Sequence, residues 1–250
     1  MNSPTSWTTH DVTNVVPELK DYNLYQGDVA LQEGVRRAGA FAHQVALLSY
    51  GAALGSEQTI RWAEDANRFK PELRNFDRTG HRVDQVVFHE SWHHLMRMFR
   101  QQNLVSQPFS DGRPGAWSAF AAGFSMHAQI EDGSLCPNSM TFACIPVLQK
   151  EPALFAQLGP KLYSTTYDAR DLPLDAKHAA LIGMGMTEKQ GGSDVRSNTT
   201  VATAVGAQGR GAAYTLVGHK WFFSAPMCDA HLVLARTVNG LSCFYVPRFR

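Results

Sequence analysis

The stretch Ala180-Leu-Ile-Gly-Met-Gly-Met-Thr-Glu-Lys-Gln-Gly-Gly-Ser-Asp194 marks the point at which the chain changes its period. After it come Thr199-Thr-Val-Ala-Thr-Ala-Val205, Tyr214-Thr-Leu-Val217, Lys220-Trp-Phe-Phe-Ser224, His231-Leu-Val-Leu-Ala-Arg236 and Leu241-Ser-Cys-Phe-Tyr-Val246. These runs are short, β-branched or aromatic, and divided by glycine-bearing turns, so they predict antiparallel strands. Upstream, from Asp28 to about Leu162, apolar residues recur at helical spacing, broken mainly at Pro71, at residues 108–115 and at Pro152. Helices first and strands second predict an α+β fold and argue against a doubly wound nucleotide-binding sheet. We place an N-terminal all-α helical domain over residues 1–178 and an antiparallel β-domain over residues 179–250.

Two helices are sharply defined by their faces. One begins at Ser91 as a plausible N-cap and carries Trp92, Leu95, Met96 and Phe99 on one side, with Arg97 and Arg100 turned away. Another follows Gly115, with Trp117, Phe120, Ala121, Phe124 and Ala128 as its expected buried stripe. A third is expected from about Pro137 to Lys150, and two or three more lie between Asp28 and Phe69, separated near Gly39 and Gly55.

Composition narrows the class of function. The chain has 250 residues, 44% of them hydrophobic, which is enough for a sizeable core and excludes disorder as the dominant state. Its 23 basic and 22 acidic residues leave a net charge of +1, so no overall imbalance points to nucleic acid or an anionic membrane. Cys136, Cys144, Cys228 and Cys243 include no C-x-x-C pair and read as reduced, buried thiols. No apolar run approaches the roughly 20 residues needed to cross a bilayer, and Met1 to Trp7 lacks the features of a secretory signal; the cytoplasm is the expected compartment.

Three patterns could carry chemistry. His89-Glu90-Ser91-Trp92-His93 formally matches H-E-x-x-H, in which two imidazoles one helical turn apart hold zinc. A helix starting at Ser91 would leave His89 outside the first turn, and the nearest third ligands, His127 and Glu131, lie in another helix. It reads as a histidine-rich helix start. In residues 183–194 a strand runs into a loop whose glycines allow close approach of a ligand to backbone N–H groups, with Thr187 and Ser193 hydroxyls beside them. A tight turn capped by those hydroxyls is the alternative. In residues 218–226, strand alternation would put Trp221 and Phe223 on one side and Phe222 and Ser224 on the other, a ring and a hydroxyl suited to a flat heteroaromatic ligand. A sheet buried on both faces is the competing account.

Taken together, Thr187-Glu188, Gly192-Ser193-Asp194 and Gly218-His-Lys220 leading to Ser224 resemble the flavin-binding signature of the acyl-CoA dehydrogenase family. The resemblance is strongest from about Leu181 to Arg250 and points to the branch linked to the adaptive response to DNA alkylation, with Gly133 to Phe142 extending it upstream. It implies a helical domain, a middle β-domain and a C-terminal four-helix bundle beyond residue 250. By the same resemblance FAD is the cofactor, with Met184, Gly185, Met186, Thr187, Gly192, Ser193, Phe222, Phe223 and Ser224 as cofactor-binding residues. Met184, Met186 and Thr187 would touch the isoalloxazine and Gly192 and Ser193 would lie toward the phosphates. Phe222 and Ser224 would sit at the ring, with the serine hydroxyl near N5. Many members have Trp and Thr where this sequence has Phe222 and Ser224, which keeps the hydroxyl and shrinks the ring. The family reaction removes an α-proton from an acyl-CoA thioester while a β-hydride moves to flavin. Its basic glutamate lies in the C-terminal bundle, so no catalytic residue is nominated here, and no metal. The resemblance also implies a homotetramer and, for this branch, duplex DNA bound through a basic C-terminal region, with little or no dehydrogenase turnover as the alternative function.

Overall fold

The computed structural model describes residues 9–249. The reading of Met1 to Trp7 and the terminal Arg250 therefore lie outside the described residues. The helical part comprises α1 (Leu24–Gly27), α2 (Val29–Arg37), α3 (Gln44–Leu54), α4 (Glu57–Arg68), α5 (Glu90–Gln101), α6 (Gln107–Ser110), α7 (Ala116–Ala128), α8 (Leu135–Leu148) and α9 (Pro152–Leu162). Between α4 and α5 stand two antiparallel strands, β1 (Glu72–Phe76) and β2 (Arg82–Val87). They correct the all-α expectation for this part. The cause is local: Pro71 stops the preceding helical pattern, and the Asp77 carboxylate accepts the N–H groups of Thr79 and His81 at 2.8 and 2.9 Å, closing a turn at Gly80.

The second part is a five-stranded sheet of β3 (Ile182–Gly185), β4 (Val201–Ala204), β5 (Tyr214–Val217), β6 (Ala230–Thr237) and β7 (Gly240–Pro247). Strand β6 is its axis. It pairs antiparallel with β7 along its whole length and parallel with β3 over residues 230–233, then meets β4 at Arg236. The sheet is thus mixed, which corrects the expectation of antiparallel pairing throughout. Residues 220–224, read as a strand, form none: Phe222 and Ala225 adopt φ values of 51° and 53°, left-handed geometry that no strand tolerates.

Helix α5 starts two residues earlier than expected, because His89 and not Ser91 is its N-cap, its ring accepting the Ser91 N–H at 3.2 Å. Trp92, Leu95, Met96 and Phe99 are buried as read. Arg100 is not turned away: it is 1% exposed, and its guanidinium donates to the carbonyls of Leu162 and Ser164 at 3.2 Å and to that of Ala180. Burial pulls its pKa down to about 10, so it stays charged. Helix α7 buries its small residues deepest. Ala116, Ala119, Ala122, Gly123 and Met126 face the core, Phe120, Phe124 and Ala128 of the expected stripe pack against it half-buried, and Trp117 and Ala121 are exposed. The small residues let the helix come close, as Gly123 shows: a Cβ there would stand 2.6 Å from a Leu104 methyl.

Helices α8 and α9 cover one face of the sheet, where Cys144, Ile145, Leu148, Leu158 and Leu162 pack on Ile182, Ala230 and Leu232. Thr141 ties α8 to the sheet, its hydroxyl accepting the Ile182 N–H at 3.0 Å. Lys177 and Asp229 form a buried ion pair at 2.6 Å, and the other Asp229 oxygen accepts the Leu181 N–H at 2.8 Å. All four cysteines are free, but only Cys144 and Cys228 are buried; Cys136 and Cys243 are exposed. Among the described residues, no helix is long and apolar enough to cross a membrane.

His127 in the helical core couples stability to pH. His127 is fully buried between the hydroxyls of Tyr50, 2.6 Å from Nδ1, and Ser134, 3.0 Å from Nε2. Burial lowers its pKa from 6.5 to about 4. The unfolded chain therefore binds more protons than the folded one between these values, and stability falls as the pH drops through that window, by about 3 kcal/mol in all. The expected outcome is that His127→Gln, although less stable at neutral pH, shows a shallower pH dependence from 6.5 down to 4 in urea unfolding; an unchanged slope would assign the acid sensitivity elsewhere.

Candidate functional site

Three segments converge at the end of β3: the strand itself, the loop of residues 187–200, and the irregular arm of residues 218–228. The glycines of the strand are filled from within. A Cβ on Gly183 would meet the His231 ring at 2.4 Å, and one on Gly185 would meet the Phe223 ring at 2.6 Å, so these positions exist to seat two aromatic side chains on the sheet. The Phe223 and His231 rings lie 4.5 Å apart. Met184 and Met186 pack the opposite way, against the α8 and α9 core. Of the sequence-derived cofactor set, Gly185 and Phe223 therefore support the site from beneath, and Met184 and Met186 are half-buried with their side chains on the α8 and α9 core.

The loop and the arm are fastened to each other. The Thr187 carbonyl accepts the Trp221 N–H at 2.9 Å, the Met186 carbonyl accepts the Asn198 amide at 2.8 Å, and His219 Nε2 accepts the Lys189 N–H at 3.1 Å. Gly218, at φ +156°, lies so close to Thr200 that a Cβ would stand 2.4 Å from its hydroxyl. The deepest anchor is Glu188, which is fully buried. Burial opposes its charge, but the N–H groups of Thr199 and Thr200 and the Thr200 hydroxyl outweigh that and hold the carboxyl well below the ordinary range.

The outer surface of this framework is what a ligand would meet. Phe222 is 82% exposed in its left-handed conformation, and Trp221 is 46% exposed with Lys189 Nζ 5.4 Å from its ring centre. Ser224 and Ser193 are exposed and Thr187 is half-buried. Among the described residues, the hydroxyls of Thr187, Ser193 and Ser224 enter no hydrogen bond, whereas those of Thr199 and Thr200 are taken by Glu188. Phe222 and Ser224 thus both face out, but through the kink at Phe222 and not by strand alternation. Gly192 completes the group: its Cα packs against Thr187, with a Cβ there only 2.9 Å from the hydroxyl. By their chemistry, three uncommitted hydroxyls and an open aromatic ring, carried on these two segments, are donors and a packing face of the kind a flat, phosphate-bearing heteroaromatic cofactor needs.

The histidines of the H-E-x-x-H match have other partners. His89 caps α5 and stacks on Phe69 at 4.7 Å, while His93 bonds the Tyr167 hydroxyl at 2.9 Å and burial lowers its pKa. His127 and Glu131 serve α7 and α8 locally, Glu131 accepting the N–H groups of Gly133 and Ser134. Among the described residues, no group of three or more His, Cys, Asp or Glu side chains is arranged to hold a metal ion.

The sequence left Glu188, Asn198, Thr199, Thr200 and His219 unassigned. Their only sequence signal was the adjacency of Glu188 to Thr187 and of Lys220 to the aromatic run. Seating of Phe223 on Gly185 yields a direct test. Gly185→Ala should lose about 1–3 kcal/mol through overpacking, measured by urea unfolding, and the double variant Gly185→Ala/Phe223→Leu should recover part of it; no loss in the single variant would contradict this packing.

Comparison with known proteins agrees with this architecture. Residues 14–169 match the Adaptive response protein AidB N-terminal domain, and residues 183–250 match the acyl-CoA dehydrogenase middle domain. The chain is 50% identical to AidB of Escherichia coli (strain K12) over 247 residues, covering 97% of this chain and 44% of that protein. Acyl-CoA dehydrogenase family member 11 of Caenorhabditis elegans is 29% identical over 229 residues, covering 88% of this chain and 35% of its own length. The solved structure of the C. elegans protein ACDH-11 in complex with C11-CoA superposes with a TM-score of 0.76 at 25% identity, covering 98% of this chain and 44% of that one. Bd2924 in its apo form gives the same TM-score at 28% identity, with 94% and 48% covered. The chain thus spans less than half the length of these relatives. With an AidB N-terminal domain over more than half of its residues and an acyl-CoA dehydrogenase middle domain after it, the chain belongs to the AidB branch of the acyl-CoA dehydrogenase family.

Proposed function

We propose that this chain provides the cofactor-binding part of an FAD-dependent flavoprotein of acyl-CoA dehydrogenase type, which transfers a hydride from an acyl-CoA thioester to flavin. The observation that carries the reading is that the hydroxyls of Thr187, Ser193 and Ser224 are uncommitted and the Phe222 ring is exposed, on two segments joined by the bond from the Trp221 N–H to the Thr187 carbonyl. When bound, FAD would supply the hydride acceptor. Ser224 would donate a hydrogen bond to an edge atom of the ring system, and Thr187 would hold another polar edge. Phe222 would pack against the ring plane and keep water from it, while Ser193 and the Gly192 backbone would meet the phosphates. An acyl-CoA partner is supported by ACDH-11, whose structure contains C11-CoA.

A second reading is favoured by the AidB match itself: a flavin-holding protein of the DNA-alkylation response that binds duplex DNA and turns over little acyl-CoA. A homotetrameric state, which rests on the family resemblance, and a cytoplasmic location belong to both readings.

The visible spectrum of the protein, expressed from its uninterrupted reading frame and mixed with short and medium acyl-CoA thioesters, distinguishes them. A yellow protein that bleaches is the expected outcome. A yellow protein that stays yellow and binds DNA with salt-dependent affinity supports the second reading, and a colourless one removes the flavin assignment. Ser193→Trp should abolish flavin retention while the far-ultraviolet helical signal is kept, and His93→Ala should leave flavin content unchanged; retention by the Ser193 variant would remove the phosphate role of that loop.

A further inference from the structure

The Glu188 carboxylate collects donors from separate parts of the site, and its role deepens the flavin reading, on which it rests. Thr199 and Thr200 each give it a backbone N–H, at 2.7 and 2.9 Å, and a hydroxyl, at 2.9 and 2.6 Å. Gln190 adds its amide at 2.6 Å and Lys220 its ammonium at 3.1 Å. Glu188 and Lys220 side chains are 0% and 9% exposed, so this pair is out of water. Every partner is a donor, and only a group with two acceptor oxygens and no hydrogen can serve them all. A glutamine would turn an N–H₂ toward other donors.

The chain neighbours of these groups give the arrangement its consequence. Thr187 precedes Glu188 directly, and Trp221, Phe222 and Ser224 follow Lys220 within four residues. Both hydroxyl-bearing segments therefore end on one carboxylate, and the bond from Trp221 N–H to the Thr187 carbonyl closes the ring between them. We infer that Glu188 is a positioning residue of the cofactor site, which as a carboxylate locks the loop of Thr187 and Ser193 and the arm of Phe222 and Ser224 into one geometry. It is not a catalytic residue, since it is sealed from the surface that a ligand would touch.

Glu188→Gln in the protein from its uninterrupted reading frame tests this, with FAD as the probe. The expected result is a dissociation constant for FAD raised about tenfold or more, a flavin spectrum moved toward that of the free cofactor, and an unchanged far-ultraviolet signal. Glu188→Asp, which keeps the charge, should recover part of the affinity. Amide hydrogen exchange gives a reading independent of flavin: residues 187–200 and 219–224 should quicken together, with β6 and β7 unaffected. Equal FAD affinity in wild type and Glu188→Gln, or acceleration of one segment without the other, would overturn the inference. If wild type itself takes up no FAD, the flavin reading fails and the exchange result alone decides whether Glu188 couples the segments. Should Glu188→Gln not fold, Lys220→Met severs the arm alone and is judged by the same two measurements, faster exchange at 219–224 and weaker FAD binding supporting the inference and neither overturning it.

Discussion

A guanidinium without water holds the two parts of this molecule together. Arg100 projects from α5 and meets carbonyls at the end of α9, in the segment that follows it, and at Ala180 on the approach to β3. Among the described residues no carboxylate touches it; its two terminal nitrogens donate to backbone oxygens that would otherwise be buried without donors, and its Nε is left without a partner. One turn of chain further, Lys177 pairs with Asp229 and Asp229 with the Leu181 amide. The entry into β3 is therefore fixed by hydrogen bonds to charged groups on the helical side and on β6. Strand β3 then presents its end, with Thr187, at one defined place.

The same device recurs at Glu188, where a buried carboxylate collects donors as Arg100 collects acceptors. Burying such charges costs several kcal/mol each unless the surrounding bonds are complete. At Glu188 the donors come from Thr199 and Thr200, so the carboxylate ties the beginning of the loop of residues 187–200 to its end, leaving Gly191, Gly192 and Ser193 between the two anchored ends.

How much of this could be read from the sequence depends on whether a residue acts through its spacing or through its partners. Alternation and helical period marked the longer helices, five of the six expected strands and the change of texture near residue 180, because those signals depend on burial of one face. Arg100 stands at i+4 from Met96 and i+8 from Trp92, on the buried stripe, and was read as outward only because charge usually means solvent. The stripe of α7 was only partly placed: Phe120 and Phe124 do pack against the core, but Trp117 is exposed and the deepest positions go to Ala and Gly, which close approach of helices selects. The hairpin of β1 and β2 was hidden because its residues are mostly exposed and leave little burial periodicity. At the site, the motif marked the right segments, but the alternation argument for Phe222 and Ser224 failed at a left-handed residue that no periodicity reveals.

What the sequence could least separate was framework from surface, because both use the same residue types. Thr199 and Thr200 are hydroxyl residues beside the motif, yet their hydroxyls are already bonded to Glu188. Thr187 and Ser193 look no different in one-letter form, and theirs are free. A buried polar group that has found its partner stabilises the fold and offers little to a ligand, while an exposed hydroxyl without one loses nothing when it turns to an incoming acceptor. The two sets should accordingly answer substitution in different ways. Removing a committed group disturbs the shape of the site, and removing a free one leaves the shape intact and weakens the contact alone. The division follows from hydrogen-bond partners, which exist only after the chain has folded, and it identifies the residues of the motif that remain available for binding.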